Sequence, residues 1–270
     1  MNPLQEFQQE VAENISALSK ARGLQQLSSA WLRDTLPYHY SYNFAWLGRP
    51  IIQYPQDIVA MQELVWLVKP DLIIETGIAH GGSLVMSASL LAMLDYCDAI
   101  ESHATLDPGA AKRKVLGIDI DIRPHNRQAI ESHPMSSRIV MLQGSSTAPE
   151  IIGEVHRIAS AHERIMVCLD SNHTHDHVVA ELQAYAPLVC SGSYCIVFDT
   201  VIEELPSTLM GDRPWGKGNS PMTAVGRYLS DLSERYVQGR DGGRLAFEVD
   251  TSIDSKLLIS VARRGYLRRV

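Results

Sequence analysis

Apolar positions along this chain follow two kinds of pattern. The first is helical. Leu4, Phe7, Val11, Ile15 and Leu18 recur every three or four residues, which predicts an amphipathic helix stopped near Gly23. A second short helix is predicted over 26–33. A third starts at Asp57, read as its cap, carries Ile58, Met61, Leu64, Val65 and Val68, and ends at Lys69-Pro70. The second kind is a short unbroken apolar run, as in a strand buried on both faces. Such runs lie at 72–74, 115–118, 138–142, 165–169 and 194–198, with helical patterns between them. Two more strands, 244–249 and 256–261, are predicted near the end, joined by a polar turn. The polar stretch 95–114 reads as an inserted loop. Strand–helix alternation followed by two strands predicts one doubly wound α/β domain over 55–270, preceded by a helical and aromatic extension over 1–54.

The organising stretch is D-L-I-I-E-T-G-I-A-H-G-G-S, residues 71–83. A strand, a glycine-rich turn and a helix start form a nucleotide-cofactor loop. The dinucleotide pattern G-x-G-x-x-G is altered to Gly77-x-Ala79-x-x-Gly82, and Glu75 stands just before it. A carboxylate there would repel a pyrophosphate. It suits a cationic cofactor such as S-adenosylmethionine, with its ammonium and sulfonium groups.

Polar residues close the other strands as well. Asp119 ends the second, where an acid commonly meets a ribose diol. Gly144, Ser145 and Ser146 follow the third; small residues there leave room for the flat face of a base. Asp170 and Asp199 end the fourth and fifth. Ligands of such sheets bind at the carboxyl ends of strands, so five polar sites on one edge outweigh any single motif. Asp170 and Asp199 are expected to face each other. A hard divalent cation such as Mg²⁺ would relieve their repulsion, with Thr200 adding an oxygen; otherwise each caps a helix. Within D-S-N-H-T-H-D-H, residues 170–177, His173 is the candidate base, with His175 and His177 as substitutes. A neutral imidazole accepts a proton near pH 7.

Composition narrows the field. A net charge of −7 offers no basic footprint for nucleic acid or an anionic membrane. No uninterrupted apolar run approaches the ~18 residues of a membrane-spanning helix, and the N-terminus lacks a signal-peptide pattern. Cys97, Cys168, Cys190 and Cys195 form no C-x-x-C pair, so reduced thiols and a cytoplasmic location are expected. The aromatic stretch 38–46 is read as a lid, a substrate wall, a subunit contact or a cover for the sheet edge.

E-T-G-I-A-H-G-G-S, then G-I-D-I-D-I, then D-S-N-H-T-H-D-H-V with A-P-L-V and F-D-T, resembles the cephalosporin hydroxylase family, from about Trp46 to Gly265–Arg268. Its members look like class I S-adenosylmethionine-dependent O-methyltransferases. The resemblance implies a seven-stranded Rossmann-like sheet and a Mg²⁺-assisted transfer to a hydroxyl of a sugar or natural product. It further implies that Glu75, Gly77, His80, Gly81, Gly82 and Ser83 line the methionine end of the cofactor, with Asp170 close by. Asp119 would meet the ribose, and Gly144, Ser145 and Ser146 the adenine. Asp170 and Asp199 fall where metal-ligand acids occur, and His173 where a basic side chain takes the hydroxyl proton. Some relatives carry a second acid beside the later ligand; here the neighbours are Phe198 and Thr200. Two rivals remain. A non-haem iron hydroxylase would use two of His173, His175 and His177 with Asp170 or Asp176. A cofactor-binding protein without catalysis is the other; the intact set Asp170, His173 and Asp199 argues against it. The stripe 4–18 has no place in a minimal core and is expected to contact a second copy in a homo-oligomer.

Overall fold

A computed structural model describes residues 2–270. In chain order the elements are α1 (Pro3–Lys20), α2 (Arg22–Thr35), β1 (Phe44–Trp46), β2 (Arg49–Ile51), α3 (Pro55–Val68), β3 (Leu72–Thr76), α4 (Gly82–Ser102), β4 (Lys114–Asp119) and α5 (Pro124–Glu131). There follow β5 (Ile139–Gln143), α6 (Pro149–Ala159), β6 (Ile165–Leu169), α7 (His175–Tyr185), β7 (Tyr194–Val197), α8 (Pro221–Glu234), β8 (Phe247–Val249), α9 (Thr251–Leu257) and β9 (Tyr266–Arg269). Seven strands form one sheet in the order β5-β4-β3-β6-β7-β9-β8, and β1 and β2 form a separate hairpin. Strands β3 to β7 run parallel; β9 lies antiparallel to β7 and β8.

Period-two alternation explains why the central strands read as continuous apolar runs. Leu72 and Ile74 of β3 join one core cluster with α6, α7 and α8, while Ile73 points the other way, toward α3 and α4. On β6, Ile165, Val167 and Leu169 share the first cluster, and Met166 and Cys168 the second. With helices on both faces, no strand position can be polar until the strand ends. The polar ends therefore collect on one edge, at the switch point where the chain leaves β5 and returns beside β3 as β6.

Three sequence expectations are corrected here. Residues 95–102 are not loop but the last two turns of α4; Asp95 and Asp98 pair with Arg113, and Asp95 also with the buried Arg138, so polarity there marks an ion-pair face. The extended α4 is, by length and composition, apolar enough to span a membrane, yet Leu84, Val85, Ala88, Leu91 and Leu94 bury one side of it in the fold. Residues 256–261 are not a strand. Asp250 caps α9 through the Ser252 N–H, and the seventh strand is Tyr266–Arg269. Asp57 is not a cap: Tyr54 precedes the helix, and Asp57 lies buried within its first turn. There it accepts hydrogen bonds from Ser260 Oγ (2.6 Å), Tyr266 Oη (2.7 Å) and the Val261 N–H (3.0 Å), tying α3 to the C-terminal strand.

Helix α1 buries none of its residues; Leu4 and Phe7 stay exposed. Helix α2 is anchored instead, through Leu32, which packs with Tyr54, Val201 and Met210.

Asp57→Ala would strand three donors and is expected to cost about 3 kcal/mol of stability. Burial pushes Asp57 up to about 6 against its three hydrogen bonds. Stability linked to its protonation is therefore present below the unfolded value of 3.8 and lost as pH rises through about 6. Urea melts should show the deficit of Asp57→Asn shrinking between pH 4 and pH 7.5. A deficit that widens would contradict this.

Candidate active site

The turn after β3 is held by its neighbours. The Gly77 N–H bonds the Ile118 carbonyl, and the residue sits at φ 89°. A β-carbon there would overlap the Asp170 carbonyl, so glycine lets the turn press against the end of β6. At Gly82, the first residue of α4, a β-carbon would overlap the Pro50 carbonyl. These glycines thus admit other stretches of this chain's own backbone, while Gly77 and Gly82 also line the cavity described below. Gly81 packs on Ile130 and is not among the lining residues; His80 and Ser83 are. The β1–β2 hairpin is clamped to the turn by Arg49, which donates to the His80 carbonyl (3.0 Å from Nε) and to Asn126 (3.1 Å).

Asp119 braces the same turn. Its Oδ2 accepts from the Ile78 N–H at 2.8 Å and the Ala79 N–H at 3.3 Å, and the residue still lines the cavity. Glu75 lies beneath, 4% exposed, accepting a hydrogen bond from Ser83. Burial pushes its carboxyl up to about 7, against the pull of Ser83. It faces a small pocket with Gln53, Ser83 and Asp170, and those three residues also line the main cavity.

Asp170, His173 and Asp199 each offer a ligand atom, all within 4.8 Å of one another. His173 Nε2 stands 3.2 Å from Asp199 Oδ2, and the imidazole meets the Trp215 ring edge-on at 4.9 Å. Burial, then the Asp199 and Glu75 charges, lift the Asp170 carboxyl well above the usual range. Two carboxylates and an imidazole at this spacing suit a divalent cation, which would also relieve that repulsion. Thr200 is not part of the set. It is fully buried, and its hydroxyl donates to the Arg263 carbonyl at 2.6 Å; the third group beside the two acids is His173. Nor is a two-histidine set assembled. His175 Nδ1 bonds Thr223 at 2.8 Å, and His177 Nε2 faces Ser146, Ser171 and Glu181.

The cavity occupies about 860 Å³. One end lies by Asp119, Ser145 and Ser146; Gly144 itself is not among the lining residues, its N–H being spent on the Asp119 carbonyl at 2.9 Å. The far wall is apolar and aromatic, built by Tyr40 and Tyr54 from the N-terminal segment and Leu205, Met210 and Trp215 from the loop before α8. Gln53 was not foreseen. Its only signal is a lone amide between Ile51-Ile52 and Tyr54.

Strand order, the antiparallel β9 and the acids gathered at one edge define a doubly wound seven-stranded α/β protein with its ligand edge at the carboxyl ends of β3 to β7. The chain belongs to the rhamnosyl O-methyltransferase/CmcI family, whose model matches residues 38–270. A rhamnosyl O-methyltransferase of Mycobacterium leprae (strain TN) is 28% identical over 243 residues, covering 86% of this chain and 89% of that protein. One from Mycobacterium tuberculosis (strain CDC 1551 / Oshkosh) is 26% identical over 185 residues; that match covers 67% of this chain and 64% of the relative's length. Among solved structures, CmcI with Mg and SAM is similar at 16% identity and a TM-score of 0.48, covering 85% of this chain and 77% of that one.

A Mn²⁺ titration followed by electron paramagnetic resonance should find one site. Asp199→Ala is expected to weaken it at least ~10-fold, and Thr200→Val to leave it within about twofold. Equal loss in both variants would return Thr200 to the ligand set.

Proposed function

We propose that this chain is an S-adenosylmethionine-dependent O-methyltransferase that uses a divalent cation, Mg²⁺ in the first instance, and acts on a hydroxyl of a sugar or natural product. The observation that carries the reading is the meeting at one sheet edge of a buried, cation-seeking Glu75 under the glycine turn with the Asp170–His173–Asp199 set. Family membership supports it, and the relatives named above are rhamnosyl O-methyltransferases. No ion pair to Glu75 exists among the described residues, so an ammonium is the counter-charge it lacks. When bound, S-adenosylmethionine supplies an electrophilic methyl group and the cation polarises the acceptor hydroxyl.

The chain's own residues do the rest. Glu75 and Ser83 hold the methionine end, and Asp119, Ser145 and Ser146 the adenosine end. Asp170 and Asp199 would hold the cation beside the acceptor hydroxyl. His173 takes the hydroxyl proton, its ring steadied by Asp199 and the edge of Trp215. Tyr40 and Trp215 supply flat apolar surface for one face of a sugar ring or an aromatic acceptor, with the buried Tyr54 packed behind Tyr40. Residues 1–54 act as the extension that completes this wall, and the exposed stripe of α1 serves contact with a second copy. A cytoplasmic setting accords with the four free cysteines.

The same distances favour a second use of His173, as third ligand of the cation. His173→Ala separates the two. As a base, its loss should lower kcat about 10²- to 10⁴-fold, partly restored at high pH where hydroxide takes the proton, with Mn²⁺ affinity unchanged. A fall in Mn²⁺ affinity of ~10-fold would make it a ligand instead.

Glu75→Gln should weaken S-adenosylhomocysteine binding about tenfold. Burial holds Glu75 near 7, so an incoming ammonium draws it to the carboxylate and releases a proton. Calorimetry at pH 6.5 in buffers of different ionisation enthalpy should record that release in the native protein and not in Glu75→Gln. Tight NAD binding without S-adenosylhomocysteine binding would overturn the whole reading.

A further inference from the structure

Gln53 sits on the short link between β2 and α3, 6% exposed, flanked by Ile51 and Tyr54, each 1% exposed. The link cannot drift. Pro50 is pressed against Gly82, and Arg49 is bonded to the turn through the His80 carbonyl and Asn126. The two ends of the Gln53 amide fare differently. Nε2 donates to Asp170 Oδ2 at 3.3 Å, whereas Oε1 is fully buried and has no donor. The reverse orientation would set the amide oxygen against the Asp170 carboxylate, so the chemistry favours the one described.

A buried carbonyl oxygen without a partner calls for an explanation, and a missing ligand is a common one. The surroundings define that ligand. Gln53 lines both the main cavity and the small pocket containing Glu75 and Ser83. Around it stand mostly acceptors, the carboxyls of Glu75, Asp170 and Asp57 and its own Oε1, with the unpartnered Ser87 hydroxyl as the one free donor among the lining side chains. The Ser83 hydroxyl is already given to Glu75. An occupant that donates hydrogen bonds suits this set, and a primary ammonium, with three N–H groups and a positive charge, both donates and draws the two lifted carboxyls to their ionised form.

We propose that Gln53 is the amide-oxygen ligand of the ammonium at the methionine end of S-adenosylmethionine, and that its N–H links this contact to Asp170 of the cation site. The inference rests on the methyltransferase reading above. It adds a binding residue from outside the strand–turn–helix motif, and it makes the N-terminal link part of the cofactor site.

The test compares S-adenosylhomocysteine with 5′-methylthioadenosine, which has the adenosine and thioether but no amino-acid end. In Gln53→Leu, calorimetry should show S-adenosylhomocysteine affinity reduced about tenfold or more, with methylthioadenosine affinity within about twofold of the native protein. Gln53→Asn, which keeps the amide but shortens its reach, should fall the same way and serves if the leucine variant fails to fold. Native S-adenosylhomocysteine affinity in either variant overturns the inference and leaves the methyltransferase reading standing. Parallel loss of both ligands overturns it too, since a purely structural role gives that result. Loss of Mn²⁺ affinity with S-adenosylhomocysteine affinity retained would assign Gln53 to the cation instead. A native protein that binds methylthioadenosine and S-adenosylhomocysteine not at all would bring down the underlying reading itself.

Discussion

Four carboxyl groups are crowded onto one edge of the sheet, and the rest of the site is arranged to accommodate them. Glu75, Asp119, Asp170 and Asp199 end β3, β4, β6 and β7 or lie next to those ends. No lysine or arginine side chain pairs with any of them among the described residues. Like charges at such spacing must be neutralised, solvated or given donors. Asp119 is supplied with backbone N–H groups of the glycine turn. Glu75 has one serine hydroxyl and is lifted to about 7 by burial. Asp170 has the Gln53 amide, and Asp199 has His173. Only Asp119 has its charge answered mainly by backbone donors. The remaining deficit is what makes this edge receptive to cationic ligands.

The N-terminal segment is as much a part of that edge as the sheet is. Its hairpin reaches the turn through Arg49, its link brings Gln53 to Asp170, and Tyr40 and Tyr54 wall the cavity. Gly82 is where the two halves touch: a side chain there would push Pro50 away and carry Gln53 with it. The family match begins at residue 38, ahead of all these contacts. Helix α1 lies outside the match and rests on α9 with Ile15 and Leu18 half-buried, while Leu4 and Phe7 stay exposed.

Legibility in the sequence followed the reach of each interaction. Strand β6 could be read to the residue because both its faces are buried and its apolar run is unbroken. The acids at strand ends were legible for the same reason, since a doubly covered strand tolerates polarity only where it stops. The final strand was misplaced because a helix cap at Asp250 and the pairing of β9 with β7 depend on partners distant in the chain. Thr200 looked like a ligand by adjacency to Asp199, but its hydroxyl is turned to the Arg263 carbonyl, 63 residues away. Gln53 could not be found by pattern, since its meaning lies in Asp170, 117 residues further on.

Asp57 shows how a buried acid that serves the fold differs from one that serves a ligand. It is as buried as Glu75 and is likewise lifted, to about 6. Yet it accepts three hydrogen bonds, from Ser260, Val261 and Tyr266, and each joins α3 to the C-terminal segment. Glu75 accepts one, from a residue eight positions along on the very turn it underlies. A carboxyl that completes the fold has its acceptors filled by the fold. One left with acceptors unfilled, beside an amide oxygen in the same condition, weakens the free protein and is retained because a ligand can make up the difference. Asp57 and Glu75 both line the small pocket that Gln53 and Asp170 share, and of the two acids Glu75 is the one whose acceptors the fold leaves mostly unfilled.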